Sequence, residues 1–290
     1  MIVLPGPASQ NLANRLASEL KAKFIPVVFK KFPDGESYVR IESDVQGEDV
    51  AIVQTTSPPQ DERMMQLFLT ASAAKDNGAK KITAVVPYFA YSRQDKIFLP
   101  GEAFSAKTVV DLLKASGVTQ IITVNAHNPT ALKHFTIPTK DLSAIPLLAK
   151  HFVDEGFEGA VSLSMGKKGL ATAKEAASVL KGAADYVPTQ RDRHTGKATI
   201  EEKPLNVKGK VAIIFDDIIS SGGTMIKAVA HTKRQGANKV YAACVHPLLI
   251  ADSKEKIIQN GADAIIGTDS VPSPVSVVSV APVIAEALRK

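Results

Sequence analysis

Short β-branched runs alternate along the chain with longer stretches of helical period. The apolar and polar pattern predicts strands at Ile2–Leu4, Phe24–Lys30, Tyr38–Ile41, Val50–Gln54, Lys81–Val86 and Gln120–Val124. Between them, helices are predicted at Asn11–Leu20, with Leu12, Leu16 and Leu20 at helical spacing, at Glu62–Lys75, with Met65, Leu69 and Ala73 on one side, and at Ala103–Ala115. The alternation then repeats: helix Ile145–Asp154, strand Ala160–Leu163, helix Leu170–Leu180, strand Val211–Phe215, helix Gly223–Gln235, strand Lys239–Val245, helix Ser253–Gln259 and strand Ala264–Ile266. Strands separated by helices of ten or more residues imply βαβ units and a mostly parallel sheet. Such a sheet is covered on both faces, which accounts for uninterrupted runs such as Val211-Ala212-Ile213-Ile214-Phe215.

Two such sets, each of about 140 residues, predict an α/β protein of two doubly wound parallel-sheet domains. The expected domains are residues 1–141 and 142–290, with the last helix able to return to the first domain. The junction is expected in Thr136–Pro146, where Pro138 and Pro146 punctuate a polar segment. Pro188–Pro204 differs from the rest, being polar and charged between two apolar strands. Loops of that length inside a domain are usually functional or mobile.

Composition narrows the class. At 290 residues, 45% hydrophobic and 22% charged, the chain has the make-up of an ordinary globular protein. The single Cys244 allows no internal disulfide and no Cys-x-x-Cys metal motif. No run approaches the length of a membrane span, and the opening Met1-Ile2-Val3-Leu4-Pro5 lacks the basic segment of a signal peptide. A cytoplasmic protein is expected. The net charge is +6, which fits either an anionic partner or a Lys-rich solvated surface. Basic residues come in doublets such as Lys30-Lys31, Lys80-Lys81 and Lys167-Lys168, never in blocks, and aromatics are only 6% of the chain. A phosphorylated small molecule is therefore favoured over nucleic acid.

The strongest signal follows a buried strand: Phe215-Asp216-Asp217-Ile218-Ile219-Ser220-Ser221-Gly222-Gly223-Thr224, leading into a helix. Two carboxylates end the strand, where they can hold hydroxyls or a divalent cation. Ser220 to Thr224 then offer hydroxyls and successive backbone N–H groups at a helix N-terminus, a natural phosphate site. A plain strand-to-helix turn with an N-cap is the alternative, and the Asp-Asp pair argues against it.

This segment resembles the phosphoribosyl pyrophosphate loop of the phosphoribosyltransferase fold. Phe32-Pro33-Asp34-Gly35-Glu36, Tyr88–Lys96 with Arg93-Gln94-Asp95, and Gly101–Lys107 follow in family order and spacing. Together they are similar to ribose-phosphate diphosphokinase, which makes phosphoribosyl pyrophosphate and AMP from Mg-ATP and ribose 5-phosphate. The resemblance implies that Phe32, Asp34, Gly35 and Glu36 recognise adenine from a neighbouring subunit, hence at least a homodimer. On its own, Pro33-Asp34-Gly35 reads as a β-turn. The resemblance further implies ATP contacts from Arg93, Gln94 and Asp95, a catalytic, Mg2+-side role at the ATP site for His127, and ribose 5-phosphate contacts from Asp216, Asp217, Ser220, Ser221, Gly222, Gly223 and Thr224. Arg191, in the polar segment, matches an arginine of the family's catalytic loop, with Arg193 or Lys197 as further cover for the phosphates. Read alone, Arg93, on a loop after Pro87, is more often explained as a solvated charge.

Three positions depart from the family pattern. Gly166, in Ser164-Met165-Gly166-Lys167-Lys168-Gly169, stands where the family carries a metal-binding aspartate. Thr189 stands where it carries a lysine, and Asn125 where it usually carries an acid. The resemblance therefore implies either an active synthetase with a rearranged metal site or a weakly active paralogue that regulates an authentic enzyme. A phosphoribosyltransferase is a third reading, opposed by the ATP motifs.

Overall fold

The computed structural model divides the chain into two units with one six-stranded parallel sheet each. Unit 1 holds Met1–Ser143, Ser270–Pro272 and Ser279–Lys290, and unit 2 holds Ala144–Asp269 and Ser273–Val278. The structure describes residues 1–191, 198–201 and 203–290, with the backbone alone at 129–131, 190, 191 and 198. Arg193 and Lys197 lie outside the described residues.

Unit 1 runs β1 (Ile2–Pro5), α1 (Gln10–Leu20), β2 (Lys23–Phe24), β3 (Val27–Lys31), β4 (Ser37–Ile41), β5 (Asp49–Val53), α2 (Gln60–Asp76), β6 (Lys81–Val85), α3 (Ser105–Ala115), β7 (Gln120–Val124) and β8 (Thr139–Leu142). Its sheet has the order β2-β1-β5-β6-β7-β8. The central strands are buried almost throughout, as expected where helices cover both faces. α1 turns Leu12, Ala13, Leu16 and Ala17 to the core and stops where Lys21 takes a left-handed conformation at φ 50°.

Unit 2 runs α4 (Ile145–Asp154), β9 (Val161–Met165), α5 (Leu170–Leu180), β10 (Ala184–Val187), β11 (Thr189–Arg191), β12 (Ala198–Ile200), β13 (Val211–Ile219), α6 (Gly223–Arg234), β14 (Lys239–Pro247), α7 (Ser253–Gln259), β15 (Ala264–Thr268) and β16 (Ser276–Val278). The last helix, α8 (Ala281–Arg289), belongs to unit 1, where Lys140 donates to the Ala287 carbonyl and Arg289 to that of Glu19. The second sheet has the order β10-β9-β13-β14-β15-β16. It is the same order as the first, and in both units a two-stranded antiparallel hairpin sits between the second and third sheet strands. The two halves thus repeat one topology.

Several elements differ from the sequence expectation. Phe24–Lys30 is not one strand: Pro26 separates β2, at the sheet edge, from β3, which leaves the sheet to pair with β4. Thr136–Pro146 is not a bare linker, because β8 lies within it and pairs with β7. β13 does not end at Phe215; it continues through Asp216 and Asp217 to Ile219, paired with β14 as far as Ile219 opposite Pro247. α2 buries Met64, Leu67, Ala71 and Ala74, leaving Met65 half exposed, so its inner face is one position away from the expected stripe. The apolar pairs Met64-Met65 and Phe68-Leu69 allow either stripe, and packing against the sheet selects one.

Candidate functional site

In an open α/β sheet, ligands bind beyond the carboxyl ends of the strands, where the strand order reverses. In unit 2 that point falls between β9 and β13. Ser164 lies opposite Phe215 across the pair, so the loops leaving these strands, 166–169 and 220–222, are neighbours at the sheet's carboxyl edge. Asp216 and Asp217 precede the second loop and are half-buried, their backbones fixed by local bonds. The Asp217 N–H donates to Asp216 Oδ1 at 3.1 Å and the Ile218 N–H to Asp217 Oδ1 at 2.9 Å.

Gly222 is the N-cap of α6 and has φ 74°, a conformation that favours glycine. A side chain there would also press on Ser253 Cβ at 3.1 Å and Ile257 Cδ1 at 3.3 Å. The loop is steadied by Leu249 and Ile250, whose N–H groups donate to the Ile219 and Ser220 carbonyls at 3.0 and 3.1 Å. No side chain caps α6, so the N–H groups of its first turn, beginning with Gly223 and Thr224, have no intrahelical acceptor. Ser221 and Gly223 are exposed, and a Cβ built on Gly223 meets nothing within 4 Å. An open row of amide donors at a helix N-terminus, beside two carboxylates, can hold a phosphate and vicinal hydroxyls at once.

Behind this loop Cys244, opposite Asp216 on β14, is fully buried, and burial together with the neighbouring carboxylate pushes its thiol well up. It is inert packing, not a nucleophile. His246 is likewise buried within β14. At the other loop, Gly166 has φ 68° and ψ 162°, and its missing Cβ would lie 3.2 Å from Thr189 Oγ1. Gly166 and Thr189, two of the three positions singled out in the sequence, therefore face each other. Arg191 closes β11, its backbone paired with Ala198.

Unit 1 builds a second cluster after β6 and β7. Thr56 accepts the Ala90 N–H at 2.8 Å and donates to the Tyr88 carbonyl at 2.6 Å, anchoring the start of the 88–104 segment. Tyr91 donates to Asp61, which raises the phenol's pKa. Glu102 accepts from the Phe98 and Leu99 N–H groups and from Gln94 Nε2 at 2.8, 3.0 and 3.1 Å, and these bonds lower its pKa. Asp95 is buried and accepts from Asn128, tying the Arg93-Gln94-Asp95 motif to the loop that carries His127. Arg93 and His127 are both exposed.

The His127 loop is itself held from below. Asn125, at φ 42°, donates to the Leu142 carbonyl at 2.8 Å, and Ala126 donates to Asp141 Oδ1 at 2.9 Å. Burial raises the Asp141 pKa to about 6, against the lowering effect of the Ala126 N–H. Sequence reading missed Asp141 and left Glu102, though quoted with its motif, without a role. A lone acid in the edge strand Thr139-Lys140-Asp141-Leu142 was the only available hint. The Phe32–Glu36 segment is the tip of the β3–β4 hairpin, with bonds inside itself: Gly35 donates to the Phe32 carbonyl at 2.8 Å and Phe32 to that of Glu36 at 2.9 Å. Phe32 is 49% exposed, its ring edge-on to Tyr38.

Among the described residues, no group of three or more His, Cys, Asp or Glu side chains gathers to hold a metal ion. Mg2+ prefers oxygen donors in octahedral array, which a lone imidazole such as His127 does not supply. The described side chains do not form a resident magnesium cage. Also among the described residues, no helix is long and apolar enough to cross a membrane.

Comparison with known proteins decides between the folds that share such loops. Residues 1–117 match the family model of the N-terminal domain of ribose phosphate pyrophosphokinase, and residues 147–279 match that of the phosphoribosyl transferase domain. The ribose-phosphate pyrophosphokinase of Methanothermobacter thermautotrophicus is 41% identical over 286 residues, covering 97% of this chain and 98% of that protein. The chain belongs to the ribose-phosphate pyrophosphokinase family. The enzyme of that name from Methanopyrus kandleri is 40% identical over 100% of this chain and 99% of its own. The crystal structure of phosphoribosylpyrophosphate synthetase from Mycobacterium smegmatis superposes with a TM-score of 0.87 at 29% identity, covering 99% of this chain and 97% of that one. Family membership places the chain among kinase-type transferases of nucleotide biosynthesis.

Proposed function

We propose that this chain transfers the diphosphoryl group of Mg-ATP to the C1 hydroxyl of ribose 5-phosphate, yielding phosphoribosyl pyrophosphate and AMP. The hydroxyl oxygen attacks the β-phosphorus and loses its proton, the bond from that phosphorus to the bridging oxygen breaks, and AMP leaves with the electron pair. The observation that carries the reading is the open acid-serine-glycine loop at Asp216–Thr224, set in a chain of this family. Ser220 to Thr224 take the 5-phosphate, and the Asp216 and Asp217 carboxylates take the ribose hydroxyls. In unit 1, Arg93, Gln94 and Asp95 contact ATP, with His127 at its phosphates. Magnesium arrives as part of the nucleotide substrate and neutralises its phosphate oxygens. Arg191 is the arginine this reading assigns to the phosphates of the transferring group. Such a transfer depends on alignment and charge neutralisation more than on covalent chemistry by the protein.

The exposed Phe32–Glu36 tip, bonded only within its hairpin among the described residues, supports a role in completing the adenine site of a second copy. A homo-oligomer of at least two chains follows from that reading, and the cytoplasm is the location proposed for it. A sedimentation profile showing only monomer at assay concentration would contradict it.

The second reading, a weakly active paralogue regulating an authentic synthetase, has its own observation. Gly166 and Thr189 bring neither a carboxylate nor an amine to the loop after β9. Incubating the purified chain with Mg-ATP and ribose 5-phosphate separates the two. AMP formation within tenfold of the Methanothermobacter relative, assayed alongside, establishes the synthetase. No AMP, with measurable nucleotide binding, establishes the paralogue.

A further inference from the structure

We infer that Asp61 is a positioning residue for the Arg93-Gln94-Asp95 motif, holding Tyr91 in the strained turn that presents Arg93. The role rests on the reading of that motif as an ATP contact. Tyr91 has φ 66°. A bulky aromatic residue in the left-handed region is a genuine outlier, and such a backbone persists only where its surroundings over-determine it. Here the strain falls on the first residue of a tight turn. The Gln94 N–H donates to the Tyr91 carbonyl at 3.1 Å, which leaves Ser92 and Arg93 at the centre of the turn. The direction in which Arg93 leaves the chain is therefore set by the backbone of Tyr91.

The ends of this segment are fixed by burial, and its middle is not. Upstream, Ala90 is buried and its N–H donates to Thr56. Downstream, Asp95 is buried and accepts from Asn128. Between them Tyr91 and Arg93 are exposed, and among the described residues Arg93 forms no ion pair. The bond from the Tyr91 phenol to the Asp61 carboxylate is the side-chain tether at this point. That bond, and to a smaller degree burial, raises the phenol's pKa, so the donor proton stays on Tyr91.

An acid in the first turn of α2 has a plainer use, as a partner for the helix dipole, and Asp61 and Glu62 both stand there. Their side chains nevertheless do different things. Glu62 is taken up by Lys31 at 2.7 Å and by Gln66 at 3.0 Å. Asp61 reaches out of the helix to a residue 30 positions along the chain. A dipole partner needs no such bond, and a bond between two exposed groups adds little to the stability of the fold. What it secures is one backbone conformation beside one arginine.

The test is steady-state kinetics of AMP formation by the full chain, with Mg-ATP and ribose 5-phosphate varied in turn. Tyr91→Phe removes the donor and keeps the ring, and Asp61→Ala removes the acceptor. Each is expected to raise the KM for Mg-ATP about tenfold and to leave the KM for ribose 5-phosphate within about twofold of the parent's. The double variant is expected to be no worse than either single one, because both lose the same bond. Asp61→Asn retains an acceptor for the phenol and is expected to stay within about threefold of the parent. The urea midpoints of these variants should match the parent's, as those of changes at exposed positions usually do. An unchanged KM for Mg-ATP, effects that multiply in the double variant, or an equal rise in both KM values overturns the inference. Mg-ATP affinity, measured by calorimetry on the same preparations, keeps the readings apart. A loss of about tenfold in the variants of a parent that makes no AMP refutes the reaction and sustains the positioning role. Variants that bind and turn over like the parent refute the positioning role alone. A parent that binds no Mg-ATP refutes both.

Discussion

After β1 the first unit places Gly6, Pro7, Ala8 and Ser9 where the second, after β9, places Gly166, Lys167, Lys168 and Gly169. Both loops stand at the reversal point of the same strand order, yet only one is open. In unit 1 the crevice is filled by Gln54, which is 1% exposed and accepts the Ala8 N–H at 3.2 Å while donating to the Arg63 carbonyl at 3.3 Å. Ser9 completes the closure by accepting the Thr55 N–H at 2.8 Å. The protein's own side chains occupy the donors that would face a ligand. In unit 2 the crevice stays open on the side of the loop after β13, where Ser221 and Gly223 are exposed and Gly223 has nothing within 4 Å of its absent Cβ. One topology offers two crevices, and side-chain filling closes the first. Unit 1 instead presents its chemistry one strand further on, after β6 and β7.

The sharpest way to break this comparison is to remove charge from the open side. Asp216→Asn/Asp217→Asn keeps the local backbone bonds and deletes both carboxylates, and AMP formation is expected to fall by about 100- to 1000-fold. A rate within tenfold of the parent would mean that the sugar is held elsewhere. Next in size are two glycine substitutions at the contrasted loops. A Cβ at Gly6 would lie 2.1 Å from Gln54 Oε1, so Gly6→Ala is expected to lower the stability of the chain by about 2 to 3 kcal/mol in urea titration. Gly223→Ala meets open space and is expected to change stability by less than about 0.5 kcal/mol. It should nevertheless weaken ribose 5-phosphate binding about tenfold, because the backbone can no longer approach the phosphate closely. If both variants behave alike in the two measurements, the closed-versus-open distinction is wrong.

Gly166→Ala tests the same loop at smaller scale. Its φ of 68° is one that alanine avoids, and a cost of about 1 to 3 kcal/mol in the urea midpoint is expected. An unchanged midpoint would show that the loop relaxes freely, and would reopen the position to a carboxylate.

How much of this was readable beforehand depends on which force fixes each residue. The parallel strands show as continuous apolar runs such as Val211–Phe215, because burial on both faces leaves no alternation. The extension of β13 through Asp216 and Asp217 does not show. Those residues are strand because β14 continues to Pro247 beside them, a pairing decided at long range. The hairpin β3–β4 was hidden by the continuity of Phe24–Lys30, with Pro26 the one mark of the break. The Ser220–Thr224 loop was legible because its glycines and hydroxyls are local chemistry. Gln54 was not, since its significance depends on Gly6, far away in sequence and next to it in the sheet. The same holds for Asp141, whose burial is a product of strand order.

Asp141 gives the smallest effect and the one with a definite pH signature. Its carboxyl is raised from 3.8 to about 6, first by burial, so the native state binds its proton more tightly than the unfolded state does. The stabilising contribution is therefore complete below about pH 4 and is lost as pH rises through about 6. Asp141→Asn retains an oxygen that can accept the Ala126 N–H but carries no charge at any pH. The variant should match the parent at pH 4 and exceed it by about 1 to 2 kcal/mol at pH 8, less than the ~3 kcal/mol of the full displacement because Asp141 is only partly shielded from water. Urea unfolding at the two pH values reads the difference directly. A variant less stable than the parent at pH 8 would mean that the Asp141 carboxylate is itself engaged by a cation in the native protein. The His127 loop would then be held by charge in addition to its amide bonds, and unit 1 would have a charged anchor where the loop after β13 in unit 2 relies on glycine.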